Sequence, residues 1–511
     1  MDTVATVRRA LDADTQSTFD RRVAQQAAQL RDELAAGGFD SAGFAVGVEL
    51  ELYAVDERGA LTQIDDTVFA DGGYTREIGL HNVELNASPQ RFDRAGVDAQ
   101  ATELREAVER LRETLSTHGQ KPVLDGMWTV PPAEGSSSYL GTVDHHSEIR
   151  TATNMPTKPR YCAIDNALCQ AADDDIEISV PGAHHRFETI LVESLTTSIQ
   201  PHLQIPDTER FPTYFNAAIR TLGPVLALST NSPFLPGDLY NAVDDPHRLV
   251  ASAPHELRIP IFEETVNVGG HTKACCPQDI ETPTDIVDRV VDDRTCGPFL
   301  SEWDEIPTDE TPAVVDPYWE FTHKYGTYWR WVRPIIGGDA SGSGGSGGSG
   351  GSLRIEYRPL PTQPTVDDVL ALHWLTTGLI RGIVASDHPL GELDWVDAEQ
   401  GFYNAVDDGL DAELYWITVD GEPTSDPEEI YPKLFGLARR GLREAGYSDG
   451  AAAELIAPMV DRWERRETPS QWKKARVREA LDDGATLAEA ITAMQTAYNR
   501  HSGRGQPFAQ W

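Results

Sequence analysis

Carboxylates alternate with apolar residues in the segment "GVELELY", residues 47–53. A period of two is typical of a strand, so Glu49 and Glu51 share one face and the apolar residues between them share the other. Same-face neighbours on a strand lie roughly 6–7 Å apart, twice the rise per residue, which is too far for both to grip one ion. The spacing therefore predicts ligands for two adjacent cations, each shared with side chains from other strands.

Three further segments show the same division into an apolar and a polar face. Their polar faces carry Glu84 and Asn86 in "VELN", Gln200, His202 and Gln204 in "QPHLQ", and Arg354, Glu356 and Arg358 in "RIEYR". Oxygen ligands with few thiolates favour Mg²⁺ or Mn²⁺ over zinc, and arginines can hold phosphate oxygens in pairs. The four polar faces together predict a site for metal ions and phosphate.

Each motif alone also fits a simpler interpretation. A Glu-x-Glu pair on a strand is usually a solvated face, and Arg-x-Glu-x-Arg can be a cross-strand ladder of ion pairs. The chain has neither a "GxxxxGK[ST]" phosphate loop nor a "GxGxxG" motif after a strand. A nucleotide would therefore have to be held by metal ions and arginines.

The net charge limits the classes of partner. The 511 residues contain 43 Lys and Arg against 82 Asp and Glu, a formal net charge of −39. This excess predicts adaptation to high salt, where charges are screened over about 3 Å, or alternatively an acidic surface for a partner. It argues against nucleic acid, whose phosphates require basic patches. Five cysteines make no disulfide framework, and no long apolar run predicts a membrane span or signal segment, so we expect a cytoplasmic protein.

The order of elements predicts an α+β protein rather than regular βαβ units. We expect an N-terminal helix within residues 1–43 (residues 8–36), strands at 44–55 and 81–87, an extended segment at 189–205, and one buried helix at 212–230. A loop-rich region is expected at 128–160, and a helical extension at 426–511 follows a catalytic domain at 44–425. The Gly/Ser tract at 341–352 has no intrinsic shape, and it is either a native loop at the rim of the site or an engineered replacement for one.

Five motifs stand in an order that is similar to the glutamate–cysteine ligase and carboxylate–amine ligase family: "GVELEL", "VELNASP", "GPVLALSTNSPF", "WVRP" and "RIEYRPLPTQPTVDDVLAL". The resemblance spans residues 44–412. It implies a glutamine-synthetase-like fold, in which a curved, mainly antiparallel sheet forms a funnel with helices packed outside. It also implies that ATP phosphorylates a carboxylate, such as the γ-carboxylate of glutamate, and that an amine such as cysteine displaces phosphate, as in glutathione biosynthesis.

The resemblance also assigns roles to individual residues. It implies that Glu49, Glu51, Glu84, His202 and Glu356 bind metal, Mg²⁺ in the first place and Mn²⁺ as an alternative. It implies that Arg358, Arg354 and Arg333 are catalytic, the first two also binding ATP, and that Arg258 and Asn86 bind substrate. The expected partners are ATP and small amino-acid substrates.

The chain departs from the family pattern at three places. Leu50 interrupts the usual acid-rich start, Pro361 stands where an aspartate is usual, and residues 406–408 lack the arginines that commonly precede "GLDA". These departures keep two alternatives open. One is a degenerate family member that binds a metabolite or partner without catalysis, and the other is a metal-dependent amide hydrolase that needs no ATP.

Overall fold

The strands of the main sheet come from widely separated parts of the chain. The computed structural model describes residues 2–70, 73–303, 316–338 and 351–511. Its strands are β1 (Ala45–Asp56), β2 (Thr75–Arg76), β3 (Asn82–Arg91), β4 (Gln120–Val123), β5 (Val143–His146), β6 (Ile149–Ala152), β7 (Ile176–Val180), β8 (Ala183–Phe187), β9 (Ile199–Ile205), β10 (Val332–Gly338), β11 (Gly351–Tyr357), β12 (Trp416–Ile417) and β13 (Pro423–Thr424). Within the described ranges, seven strands form one curved antiparallel sheet in the order β10-β11-β9-β1-β3-β2, with β4 also paired to β1.

Helices cover the outside of this sheet. They are α1 (Thr3–Ala10), α2 (Ala13–Ala35), α3 (Arg94–Ser116), α4 (Ser136–Gly141), α5 (Pro159–Ala171), α6 (Phe211–Arg220), α7 (Leu222–Ser229), α8 (Pro246–Ser252), α9 (Arg258–Val266), α10 (Asp285–Asp292), α11 (Trp319–Tyr325), α12 (Val366–Ala385), α13 (Trp395–Asp408), α14 (Pro427–Glu444), α15 (Asp449–Arg465), α16 (Pro469–Asp482) and α17 (Leu487–Ser502). The predicted α+β class, with a mainly antiparallel sheet and helices outside it, is confirmed.

Helix α12 is the core helix behind the sheet. It begins after Thr365, whose hydroxyl oxygen accepts a hydrogen bond from the backbone N–H of Asp368, and it packs against β9, α6, α14 and α15. By length and composition it could cross a membrane, but 89% of its apolar window is buried inside the protein. A helix that is apolar on all sides is expected where protein surrounds it.

The register of the sheet places the polar faces side by side. Glu49 on β1 lies opposite Asn86 on β3 and Gln200 on β9, and Glu51 lies opposite Glu84. On the next strand, Glu356 lies opposite His202. Directly opposite residues on neighbouring strands have side chains close enough to interact, so the four polar faces form one surface.

Several local predictions needed correction. The predicted helix at 8–36 is two helices, α1 and α2, because Asp12 caps the second by accepting a hydrogen bond from Asp14 N–H. The stretch predicted as extended from residue 189 contains a 3-10 turn, Ile190–Leu195, before β9 begins. The single buried helix expected at 212–230 is α6 followed by α7, and the region 128–160 contains α4, β5 and β6.

Two other predictions concern the Gly/Ser tract and the division of the chain into domains. Residues 341–350 of the Gly/Ser tract lie outside the described residues, while 351 and 352 begin β11. The division into an N-terminal helix at 1–43, a catalytic domain at 44–425 and an extension at 426–511 stays a prediction.

Buried ion pairs fasten the C-terminal helices to the rest of the structure. Arg462 on α15 donates to Asp368 on α12 over 2.9 Å, and both side chains are fully buried. Lys473 on α16 is paired with Asp125, which follows β4, and both of these are buried too. A buried charge that loses its partner is strongly destabilising, so these contacts tie the C-terminal helices to the sheet and its core helix.

We predict that Asp368→Asn lowers the free energy of unfolding by about 3–5 kcal/mol, because the charge of Arg462 would stay buried without its counterion. The neighbouring Asp367 offers a matched control, since its pair with Arg105 is exposed on both sides. Asp367→Asn is expected to cost about 0–1 kcal/mol. Urea unfolding of the two variants in high KCl measures the difference, and equal losses would contradict a special role for the buried pair.

Candidate active site

A cavity of about 420 Å³ opens on the polar face of the sheet. One part of its wall is apolar, with Ile164 from α5, Phe262 and Val266 from α9, and Trp329 among its members. The acidic part of the wall is formed by Glu49, Glu51, Glu77, Glu84 and Glu193. A cleft with an apolar wall and a few convergent polar groups is the usual form of a small-molecule site.

The acidic side chains near this cavity form two groups. The histidine group consists of Glu49, His202 and Glu356, and the triple-carboxylate group consists of Glu51, Glu77 and Glu84. Within each group the ligand atoms lie within 4.8 Å of one another. Glu49 and Glu51 thus belong to different groups, as their spacing along β1 predicted. The structure brings together all five residues predicted as metal ligands and adds Glu77.

The histidine group has the geometry of a cation site. His202 Nε2 lies 3.2 Å from Glu49 Oε1 and 3.8 Å from Glu356 Oε1. This nitrogen is buried and has no hydrogen-bond partner among the described residues. An imidazole nitrogen without a partner beside two carboxylates suits a divalent metal ion.

Glu356 also forms ion pairs with arginines, which was the simpler interpretation of the Arg-x-Glu-x-Arg motif. Arg333 on β10 lies directly opposite it and donates from Nη2 to Oε1 over 2.9 Å, while Arg358 Nη1 lies 3.3 Å from the same oxygen. Burial alone would raise the pKa of Glu356, but the charges of Arg333 and Arg358 lower it well below its ordinary value. The carboxylate therefore stays charged, as a metal ligand must be.

The carboxylates of the triple-carboxylate group repel one another. Burial and the charge of Glu51 raise the pKa of Glu77 to about 8, and burial and the charge of Glu77 raise the pKa of Glu84 well above its ordinary value. Glu51 is held in place because its carboxylate accepts hydrogen bonds from Ser198 N–H (2.7 Å) and Gln200 Nε2 (2.8 Å). Burial also raises the pKa of Glu51, against the charges of Arg258 and Arg358. A divalent cation among these three carboxylates would remove the repulsion.

The predicted arginines occupy different positions. Arg333 and Arg358 line the main cavity, and Arg358 Nη1 donates to Gln200 Oε1 over 2.6 Å. Arg354 lines a second cavity of about 150 Å³ that shares Glu49 with the first. Arg258 is buried and does not line the main cavity; its Nη2 donates to the carbonyl of Arg358 over 3.0 Å, while its Nε and Nη1 have no hydrogen-bond partner among the described residues. It therefore supports the backbone directly after β11, and its predicted contact with substrate stays a prediction.

Asn86, the other predicted substrate residue, lies beside the acids. Its Nδ2 donates to Glu84 and approaches the Thr75 hydroxyl at 3.5 Å, and the side chain lines the smaller cavity. Asn86 thus orients Glu84, and its role in binding substrate stays a prediction.

Two acids of the site were missed from the sequence. Glu77 follows the two-residue strand β2, which is too short to show an alternation, although its pairing with β3 places Thr75 opposite Glu84. Glu193 lies in the 3-10 turn that was predicted as extended chain. Burial and the charge of Glu51 raise the pKa of Glu193 to about 8.

The family model of glutamate-cysteine ligase family 2 matches residues 45–497. The chain belongs to this family. This membership covers both acid groups, Arg333, Arg354 and Arg358, and helices α3 to α16, and it identifies the protein as a relative of carboxylate–amine ligases.

Solved structures of ligases are similar to this glutamate-cysteine ligase family member over most of its length. The glutamate–cysteine ligase of Francisella tularensis in complex with AMP is 12% identical, with 91% of this chain and 90% of that one covered and a TM-score of 0.49. A bifunctional glutathione synthetase from Pasteurella multocida is 12% identical, with 93% and 55% covered and a TM-score of 0.47. The complex of the ubiquitin-like protein Pup with its ligase PafA is 8% identical, with 88% and 72% covered and a TM-score of 0.35. No curated protein sequence matches the chain.

We predict that the metal-free protein loses stability as the pH rises from 4.5 to about 8, and that Mg²⁺ restores it. The raised folded-state pKa of Glu77 means that the folded form holds a proton which the unfolded chain releases above its ordinary value of 4.5. The stabilisation is therefore complete below 4.5 and is lost as the pH passes about 8.

Melting temperatures with EDTA and with Mg²⁺, measured at constant high KCl, test this prediction. Glu77→Gln removes one titrating group, so the metal-free pH dependence should flatten and the gain from Mg²⁺ should shrink. A Mg²⁺ effect that is the same in wild type and Glu77→Gln at both pH values would contradict the assignment.

Proposed function

We propose that the protein is an ATP- and Mg²⁺-dependent ligase that joins a carboxylate to an amine through an acyl phosphate. The γ-carboxylate of glutamate and the amino group of cysteine are the first candidates. The observation that carries the proposal is the side-by-side arrangement of the histidine group and the triple-carboxylate group under Arg333 and Arg358, in a chain of this family. Alternating acids from several strands, with arginines beside them, suit a bound triphosphate.

The residues of the two groups would hold divalent cations. Bound there, the cations would neutralise the charge of the triphosphate, which is the chemistry that phosphoryl transfer requires. Arg358 and Arg333 would stabilise the phosphoryl group as it moves, since both line the cavity and both contact Glu356. A carboxylate oxygen of the substrate bonds to the γ-phosphorus, and ADP leaves with the electron pair of the broken P–O bond.

The apolar wall would protect the product of that step. Phe262, Val266 and Trp329 line the same cavity as the acids. An acyl phosphate is readily hydrolysed, so an apolar wall that excludes water favours attack by an amine. The neutral amine nitrogen bonds to the acyl carbon, the C–O bond to phosphate breaks with its electron pair going to phosphate, and phosphate and the amine proton leave.

The two cavities support a division between nucleotide and substrate. Glu49 lines both of them, and Arg354 and His202 line the smaller one. The triphosphate would lie where the two cavities meet at Glu49, between the two acid groups, and the rest of the larger cavity would hold the carboxylate and the amine. A phosphoryl group would then pass between the cavities beside Glu49.

At two of the three departures from the family pattern, the residue now present makes contacts through its backbone. Pro361 forms a bridge with Ser198, the residue whose N–H holds Glu51, and its carbonyl accepts a hydrogen bond from Gln363 over 2.7 Å. The carbonyl of Val406 accepts the N–H groups of His255 and Glu256. Neither position lines the main cavity, so these departures leave the two acid groups complete.

The test is amine-stimulated ADP formation in high KCl with Mg²⁺, ATP, glutamate and a panel of amines. Hydroxylamine added in place of the amine should trap the acyl phosphate as a hydroxamate. We expect Arg358→Ala to lower kcat/KM by about 100- to 1,000-fold because it removes a charge beside the transferred phosphoryl group. The exposed Arg465 provides a control, and Arg465→Ala is expected to stay within about twofold of wild type.

Each alternative predicts a different result. Metal-dependent amide hydrolysis without ATP, unaffected by Arg358→Ala, would favour the hydrolase. Calorimetric binding of a metabolite with no affinity for ATP in the presence of Mg²⁺ would favour the degenerate binder. Adaptation to high salt, which the net charge supports, and a cytoplasmic location belong to the same proposal.

A further inference from the structure

Lys473 is a buried lysine on α16, in the part of the chain that the sequence predicts to be a helical extension. Its Nζ donates to the carboxylate of Asp125 and, over 2.6 Å, to the carbonyl of Asn231. Both partners are fully buried. A buried ion pair is weak evidence for stability alone, because apolar residues of similar volume often stabilise a core equally well. The contacts of Lys473 therefore indicate a role beyond holding α16 in place.

The contact with Asp125 connects Lys473 to the carboxylate of Glu51. The backbone carbonyl of Asp125 accepts a hydrogen bond from the hydroxyl of Thr197. The next residue, Ser198, donates from its N–H to Glu51 Oε2 over 2.7 Å, and its carbonyl accepts the N–H of Glu51 over 2.9 Å. Because Thr197 and Ser198 are fully buried, water does not compete for these hydrogen bonds.

The contact with Asn231 connects Lys473 to the backbone of Glu51. Asn231 Nδ2 donates to the carbonyl of Thr362 over 2.7 Å. The Thr362 hydroxyl donates to the carbonyl of Glu51 over 2.7 Å, and the Thr362 N–H donates to the carbonyl of Thr197 over 3.2 Å. The two paths therefore join at Thr197 and Thr362, and together they form one buried network from Lys473 to Glu51.

This network holds Glu51 by its backbone and by its carboxylate. The N–H, the carbonyl and the carboxylate oxygen Oε2 of Glu51 all have partners in it. Glu51 belongs to the triple-carboxylate group, and hydrogen bonds around a metal ligand fix the orientation of that ligand. Loss of such outer contacts typically lowers metal affinity by about 10- to 100-fold. The position of one carboxylate of the group thus depends on the network.

We propose that Lys473 is a positioning residue for the triple-carboxylate group, and that α16 is thereby part of the catalytic unit rather than a separate extension. This inference rests on the proposed function, in which Glu51 binds a divalent cation. Lys473 does not line the main cavity, so it acts through Asp125 and Asn231 and has no contact with the reacting atoms.

Calorimetric titration with Mn²⁺ in high KCl tests this role without turnover. Lys473→Met alone would leave the charge of Asp125 buried without its counterion, so it is combined with Asp125→Asn. We expect two Mn²⁺ sites in wild type, and Glu77→Gln identifies the site of the triple-carboxylate group because it weakens that site. The double variant should raise the Kd of the same site by about 10- to 100-fold and leave the other Kd within about twofold.

Lys474→Met is the matched control. Lys474 is the neighbouring buried lysine on α16, and its Nζ donates to the carbonyl of Ala253, outside the network. This variant should lose stability but keep both Mn²⁺ constants within about twofold. In a Glu51→Gln background, the Lys473 and Asp125 substitutions should change the Kd by less than about twofold, because residues that act through one another are not additive.

A smaller change tests the network without touching the buried ion pair. Thr362→Val removes only the hydroxyl that donates to the Glu51 carbonyl, and it should raise the Kd of the triple-carboxylate site at least about threefold. Unfolding midpoints show which variants are folded. If the double variant does not fold, an unchanged Kd in Thr362→Val overturns the inference.

The outcomes separate this inference from the proposed function. Unchanged Mn²⁺ constants in the folded double variant, or an equal loss at both sites, would overturn the inference. An equal loss in Lys474→Met would also overturn it, since the effect would then be a general loosening of α16. Absence of Mn²⁺ binding by wild type would overturn it too, because Glu51 would have no ion to hold. Mn²⁺ constants as predicted, without amine-stimulated ADP formation, would count against the proposed function alone.

Discussion

Repulsion among carboxylates that face one cavity is the constraint on which the site depends. One carboxylate oxygen from each of Glu51, Glu77 and Glu84 lies within 4.8 Å of the other two. The pKa values of all three carboxyl groups are raised. A folded protein keeps such an arrangement only if protons or cations compensate it. In the neighbouring histidine group the compensation comes from Arg333 and Arg358, which keep Glu356 charged. The site therefore combines one group whose negative charge is compensated by arginines with one whose carboxylates favour protons or a cation.

Strand register, hydrogen bonds and a buried ion pair hold these carboxylates close together. Glu51, Glu84 and Gln200 come together because β1 pairs with β3 on one side and β9 on the other. Behind the sheet, Ser198 and Thr197 connect Glu51 to Asp125, since Ser198 N–H holds Glu51 and the Thr197 hydroxyl donates to the Asp125 carbonyl. Asp125 in turn pairs with Lys473 on α16. The C-terminal helices are thus connected, through Asp125 and Ser198, to Glu51 at the cavity.

The sequence reveals the part of the site that lies on regular strands. Alternation along β1, β3, β9 and β11 predicts which side chains share a face, and the structure agrees for Glu49, Glu51, Glu84, His202 and Glu356. It could not reveal Glu77 and Glu193, because a two-residue strand and a 3-10 turn have no period to detect. It also could not tell that Arg258 is buried and bonded to the Arg358 carbonyl, since burial depends on tertiary packing between α9 and Trp331. The break between α1 and α2 results from capping by Asp12. The helical spacing of apolar residues continues across this break, so the sequence pattern does not reveal it.

Anomalous scattering from crystals soaked with Mn²⁺ and a non-hydrolysable ATP analogue tests the central claim most directly. Mn²⁺ prefers the same oxygen and imidazole ligands as the proposed ions, and it identifies its own position in the map. We predict one anomalous peak within the histidine group and another within the triple-carboxylate group, with the phosphates of the analogue between them and Arg358. An absence of peaks in both groups, with the analogue bound elsewhere or not at all, would contradict the account.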